Sequence, residues 1–402
     1  MPRQTIVSDG ALPSTATRAS VPSTGIPHTS PGPITPLQRL ERILSEAIRA
    51  GASDIHFEPM AQRFRVRLRI DGRLQDHGDV PLTARDMLVS RLKVLANLDI
   101  AQKRLPQDGR MVWREAGEPV ECRVSALPSL HGEKLVVRLL DGAKVPLSLE
   151  GLGYSPKQYL ALTQAIARPH GLILLTGPTG SGKTVSLYSC LRRLNDTSRN
   201  IVTIEDPVEI RLAGVTQVNL NERAGLDFAT ALRAFLRQDP DVLVVGEIRD
   251  AQTAEIAIQA AQTGHLVFAT VHANDAPSTL ARLFDLGVAP FNLSSTLLLV
   301  SAQRLLRRRC PAGCEPCGTT TATDRAHTCM RCHGSGFAGR IGAFQVMPIS
   351  PTQAINIAQA RSPHDLAAQA HSEGVMTLRE AGLWHVDTGA VDQEDVDATL
   401  PA

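Results

Sequence analysis

The sequence predicts an α/β chain in which a small α+β domain precedes a larger domain built on a parallel sheet, and three observations carry that reading. From Tyr154 onward, short apolar runs (LILLT, IVTIED, DVLVVGE, HLVFATVH) alternate with helical stretches such as TAEIAIQAAQ, the pattern of a sheet covered on both faces. The first of these runs leads through a Gly-rich loop, GPTGSGKT, into a helical pattern. Upstream, Phe64, Val66, Leu68 and Ile70 alternate with Arg63, Arg65, Arg67 and Arg69, as in a strand with one apolar face.

Taken in order, residues 1–36 are rich in Pro, Ser, Thr and Gly and lack the apolar surface needed to offset ordering entropy, so they read as a disordered leader. Leu37, Leu40, Leu44 and Ala47 recur at helical spacing, and Gly51 is placed to end that helix. Asp71-Gly72 supplies a tight turn between two strands. Further strands at CRVSAL and KLVVRLL complete an α+β domain over 37–145, and PLSLEGLGY forms the linker into a second domain, 146–402. After about residue 343 the chain turns Ala-rich and helical. The segment Arg304-Leu305-Leu306-Arg307-Arg308-Arg309 reads as a solvated helix end beside a helix dipole, and the arginine face at 63–69 as a solvated or subunit-contacting surface.

The chain has 402 residues with 42 Lys plus Arg against 40 Asp plus Glu, a formal net charge of +2. Such a balance offers no global field for nucleic acid, and 3% aromatic residues leave few platforms for base stacking, so stable nucleic-acid binding is not expected. No basic segment followed by an apolar run opens the chain, and no stretch approaches the roughly 18 apolar residues of a membrane span. A cytoplasmic location is expected.

The loop Gly177-Pro178-Thr179-Gly180-Ser181-Gly182-Lys183-Thr184 has the form and context of a phosphate-binding P-loop. Its backbone N–H groups and the dipole of the following helix suit a triphosphate, Lys183 adds a cation, and Thr184 offers a magnesium ligand. Glu247, delivered at the end of the run DVLVV, is the candidate for activating the attacking water. Glu205, Asp206 and Glu209 concentrate negative charge at another strand end, where magnesium would neutralise it. His265 and His272 frame a fourth strand, with His272 at the end nearer the P-loop and suited to sensing a γ-phosphate. Among seven cysteines, Cys329 and Cys332 form one CxxC, with Cys314 and Cys317 upstream as its partner. Four thiolates can close a tetrahedral zinc site of structural kind.

The segments ASDIHFEP, RLRIDG, RLPQDGR, GPTGSGKT, TIEDPVE, RQDPDVLVVGEIRD and TGHLVFATVHANDA, in that order, resemble the hexameric ATPases that power type II secretion and type IV pilus assembly. The resemblance covers about residues 37–350. It implies a PAS-like N-terminal domain and a RecA-like P-loop NTPase domain with a tetracysteine zinc insertion and C-terminal helices. It also implies ATP, Mg2+ and Zn2+ as cofactors, a homo-hexamer, and an inner-membrane platform protein as partner, reached peripherally. By the same resemblance Lys183, Thr184, Glu205, Asp206, Glu209, Glu247, His265 and His272 belong to the nucleotide site. Arg123 and Arg138 would reach the phosphates from the N-terminal domain, and some of Arg233, Arg237, Arg249 and Arg282 would hold the interface between subunits. The family's first cysteine pair begins Cys-Pro, which selects Cys310 in place of Cys314 or Cys317. Pilus retraction and DNA-uptake or DNA-translocating ATPases of the same superfamily stand as the alternative.

Overall fold

A computed structural model describes residues 34–140, 147–314, 329, 331–332 and 334–400, so most of the expected leader lies outside the described residues. The first helix, α1 (Pro36–Arg49), is fixed locally at its start: the Thr35 hydroxyl accepts from the Gln38 N–H while the Gln38 side chain accepts from the Thr35 N–H, a reciprocal capping box ahead of a proline in the first turn. It buries Leu40, Ile43, Leu44, Ala47 and Ile48, the apolar stripe that the sequence spacing requires.

Strands β1 (Asp54–Pro59), β2 (Phe64–Ile70) and β3 (Arg73–Val80), helix α2 (Leu82–Leu95), and strands β4 (Gln107–Glu115), β5 (Glu118–Ser129) and β6 (Gly132–Leu140) follow. The strands form one antiparallel sheet in the order β3-β2-β1-β6-β5-β4. Asp71 and Gly72 join β2 to β3 with φ of 47° and 85°, the paired left-handed conformations of the tight hairpin turn. The alternating arginines are less solvated than expected. Glu58 on β1 accepts from Arg65 at 3.0 Å and Arg67 at 2.8 Å and pairs with Lys134 at 3.1 Å. Burial raises the Glu58 pKa, but these hydrogen bonds outweigh it and hold the carboxyl at about 2.

The second sheet takes helix α3 (Pro156–Ile166), strand β7 (Gly171–Thr176), helix α4 (Lys183–Leu194), strands β8 (Ile201–Glu205) and β9 (Thr216–Asn219), helix α5 (Phe228–Phe235), strand β10 (Val242–Val245), helix α6 (Ala251–Gln262), strand β11 (Leu266–Val271), and helices α7 (Ala276–Asp285) and α8 (Pro290–Thr296). Two long strands, β12 (Leu297–Arg309) and β13 (Phe337–Pro348), complete it, and helices α9 (Pro351–Ala358), α10 (Pro363–Ser372), α11 (Leu378–Asp387) and α12 (Gln393–Thr399) close the chain. Its order is β13-β12-β7-β11-β10-β8-β9, parallel throughout except for the β12/β13 pair. Every residue of β7, β8, β10 and β11 is buried. Leu172, Leu174 and Leu243 face one core, and Ile173, Leu175, Val244 and Phe268 face the other.

Arg304–Arg309 corrects the sequence expectation: it is no helix end but the outer part of β12, hydrogen-bonded in register to β13. Leu and Arg are good helix formers, and only the distant partner strand overrides that preference. The C-terminal helices pack back onto this ribbon. Asp395 of α12 accepts from the Arg307 backbone N–H at 2.7 Å and from its side chain at 2.6 Å, and Val391, Val396 and Leu400 cover Leu306.

Candidate nucleotide site and cysteine cluster

The loop 177–182 leaves the C-terminal end of β7 and enters α4 at Lys183, so the first free N–H groups of α4 point where an anion would sit. Gly177 and Gly182 have φ of 146° and 90°. A Cβ on Gly177 would lie 2.6 Å from the Gln303 carbonyl oxygen, so neither the backbone angle nor the space admits a larger residue there. Gln303, on the neighbouring β12, also donates to the Ser181 carbonyl at 2.7 Å. No motif in the sequence marks it, because its role comes from strand adjacency. The Lys183 ammonium donates to the carbonyls of Gly177 and Pro178 at 2.7 and 3.1 Å. Burial lowers its pKa, and the nearby charge of Glu247 acts in the opposite sense.

Strands β8, β10 and β11 are parallel neighbours, so the residues that follow them emerge at the same sheet end as the loop. Glu247 follows β10 and is ion-paired with Arg249. Arg249 also reaches Asp206 at 3.4 Å, and His272 Nε2 lies 3.6 Å from Glu247. Arg249 thus bridges Glu247 and Asp206, and His272 stands beside Glu247. Glu209 is exposed, and its charge is felt by both Lys183 and Arg123.

Two sequence-predicted residues stand elsewhere. The Glu205 carboxylate is buried, with its oxygens accepting from the Tyr188 hydroxyl at 2.8 and 2.7 Å and from Thr203 at 2.6 Å. Burial raises its pKa, and it braces α4 against β8 instead of offering free lone pairs to a cation. His265 precedes β11, and its carbonyl accepts from Gly171 N–H at the start of β7. It therefore lies at the opposite sheet edge from the loop, its ring held by the Ala260 carbonyl at 2.9 Å. A parallel strand separates its two ends by roughly 3.3 Å per residue, which takes His265 out of reach of a phosphate on this chain's own loop.

In the first sheet, Arg110, Arg123 and Arg138 stand opposite one another across β4, β5 and β6 and line a cavity of about 440 Å³. Arg138 donates to Asp54 at 2.9 Å, whereas the buried Nε of Arg123 lacks a hydrogen-bond partner. Burial and then the charge of Arg110 lower the Arg123 pKa, while Glu209 and Asp206 oppose that fall. Sequence reading singled out Arg123 and Arg138 but not Arg110, which joins them only through strand register.

Cys310, Cys314, Cys329 and Cys332 converge, with all four sulfurs within 4.8 Å of one another. The Cys310 and Cys329 sulfurs are 3.8 Å apart. A zinc ion with about 2.3 Å bonds to sulfur in a tetrahedron requires edges near 3.8 Å, so the geometry fits that metal. Among the described residues Cys310 and Cys314 are the ones that meet Cys329 and Cys332, and the expected ligand Cys317 lies outside the described residues. Among those residues no helix is long and apolar enough to cross a membrane.

Known proteins extend this picture. The chain is 46% identical over 376 residues to the type IV pilus assembly ATPase PilB of Acinetobacter baylyi, a match covering 89% of this chain and 65% of that protein. It is 46% identical over 360 residues to the type II secretion system protein HxcR of Pseudomonas aeruginosa, covering 90% of this chain and 76% of that one. The chain therefore spans about two-thirds to three-quarters of the length of these two relatives. Among solved structures, the pilus retraction motor PilT with bound ADP superposes with a TM-score of 0.62 at 29% identity, covering 90% of this chain and 97% of that chain. Residues 28–398 match the family model described as type II/IV secretion system protein, and the chain belongs to that family.

Proposed function

We propose that this chain hydrolyses ATP and, in a ring of six copies, powers assembly of a type II secretion pseudopilus or a type IV pilus at the inner membrane. One observation carries the chemistry: Glu247, joined to Asp206 through Arg249 and flanked by His272, stands at the sheet end that presents Lys183 and the loop. Thr184 and Asp206 would hold a magnesium ion, which when bound neutralises charge on the phosphate oxygens. Lys183 exchanges its carbonyl partners for phosphate oxygens, Glu247 takes a proton from the attacking water, and Arg123 and Arg138 steady the charge that grows on the terminal phosphate. The exposed Arg233, Arg237 and Arg282 are suited to contacts between copies. Hydrolysis would release the N-terminal domain from the nucleotide, and these movements, passed around the ring, would act on a polytopic inner-membrane partner.

Retraction is the second reading, favoured by the likeness to PilT. The four-cysteine cluster and the 46% identity to assembly and secretion proteins support assembly. The test is phosphate release by the purified full chain. Glu247→Gln is expected to lower turnover by about a hundredfold or more while nucleotide still binds, and a variant with undiminished turnover would remove the proposal.

A further inference from the structure

The peptide groups on both sides of Glu247 are tied to one residue of the neighbouring strand. The Gly246 carbonyl accepts from the Thr270 hydroxyl at 2.5 Å, and the Ile248 N–H donates to the Thr270 carbonyl at 2.9 Å. His272 is bracketed in the same way from the opposite neighbour, β7. The Thr176 hydroxyl donates to the Val271 carbonyl at 3.0 Å and accepts from the Ala273 N–H at 3.1 Å, using its donor and a lone pair together. Two fixed peptide planes leave the Cα–Cβ bond between them one direction, so each threonine aims a side chain other than its own.

These hydroxyls stand in an otherwise apolar layer. β7 reads GLILLT and β11 reads LVFATV, so Thr176 and Thr270 carry the polar side chains of these two strands, and both are buried. Valine has the same branched shape and strand preference and brings no polar group to satisfy. Burial and strand formation alone therefore do not call for threonine at either place. The two brackets also meet: Thr270 lies near the end of β11, His272 directly follows that strand, and His272 Nε2 lies 3.6 Å from Glu247. Thr176 in turn precedes Gly177, whose carbonyl accepts from the Lys183 ammonium at 2.7 Å.

We propose that Thr176 and Thr270 are positioning residues for ATP hydrolysis: their hydroxyls lock His272 and Glu247 to the phosphate loop as one unit. The inference rests on the reading of the chain as an ATPase with Glu247 as its base. Steady-state hydrolysis by the full chain, with MgADP calorimetry on each variant, tests it. Thr176→Val and Thr270→Val are each expected to lower kcat about tenfold, with KM and MgADP affinity held within about twofold. Thr176→Ser and Thr270→Ser keep the hydroxyl and are expected to restore kcat. In a Glu247→Gln background, Thr270→Val is expected to lower the residual turnover no further, because the side chain it aims has already lost its function. A threonine that only supports the fold would lower affinity along with kcat and act additively in that background. Should a valine variant fail to bind MgADP, the alanine variant at the same position replaces it under the same expectation. Unchanged kcat, serine variants as slow as the valine ones, or a further tenfold fall in the Glu247→Gln background overturns the inference while the ATPase reading stands. A wild type that hydrolyses no ATP, or that Glu247→Gln leaves undiminished, removes that reading and this inference with it.

Discussion

Arg249 is ion-paired with Glu247, and the same guanidinium lies 3.4 Å from Asp206, so one side chain joins the ends of β8 and β10. The Glu247 contact is the largest cause of the rise in the Arg249 pKa. An arginine in this place positions the carboxylate through its planar fork. Arg249→Ala is expected to lower ATP turnover about tenfold with a smaller change in nucleotide affinity. Steady-state kinetics alongside a binding titration separates the two effects, and a loss confined to affinity would contradict a positioning role.

Gln303 holds the loop from outside it, through the bond to the Ser181 carbonyl and the close approach to Gly177. Gln303→Leu leaves that carbonyl unpaired in a buried place. Nucleotide affinity is expected to fall about tenfold, as measured by fluorescence titration with a labelled nucleotide, whereas unchanged affinity would mean that the loop holds its shape unaided.

Among the described residues Cys310, Cys314, Cys329 and Cys332 converge, which favours Cys310 in one of the two ligand sets that the spacing leaves open. Cys310→Ser is expected to lose bound zinc and to melt at lower temperature, because a four-thiolate site contributes folding free energy. Cys317→Ser is expected to retain near-stoichiometric zinc. Metal analysis of both purified variants decides between them, and the reverse outcome would place Cys317 in the site.

Glu58 carries a pKa lowered from 4.5 to about 2. A carboxyl lowered on folding stabilises the native state fully above its unfolded pKa, and that contribution is lost as pH falls through the folded value. Between pH 4.5 and about 2 the wild type should therefore lose stability that Glu58→Gln does not have to lose. At neutral pH the variant should be destabilised by about 2 kcal/mol, because Arg65, Arg67 and Lys134 lose their counter-charge. Denaturant titrations at neutral and acid pH check both limbs, and parallel pH profiles would contradict the assignment.

Several features of this protein were legible without coordinates. The α1 stripe, the Asp71-Gly72 turn, the buried runs and the loop at 177–184 each depend on residues close together in the chain, where propensity, spacing and backbone freedom act directly. The segment 304–309 was misread for the same reason: its composition favours a helix, and the partner that makes it a strand begins at Phe337.

The sequence by itself determined which chemical groups are present and which local elements carry them: a phosphate loop, acids at strand ends, arginines on strands and two groups of cysteines. Only the tertiary structure decided which of them meet. It turned Glu205 inward to Tyr188, put His265 at the far sheet edge, brought Gln303 to the loop and joined Arg110 to Arg123 and Arg138. Strand order and register set those distances, and they arise from burying both faces of a sheet whose neighbouring strands are distant in the chain.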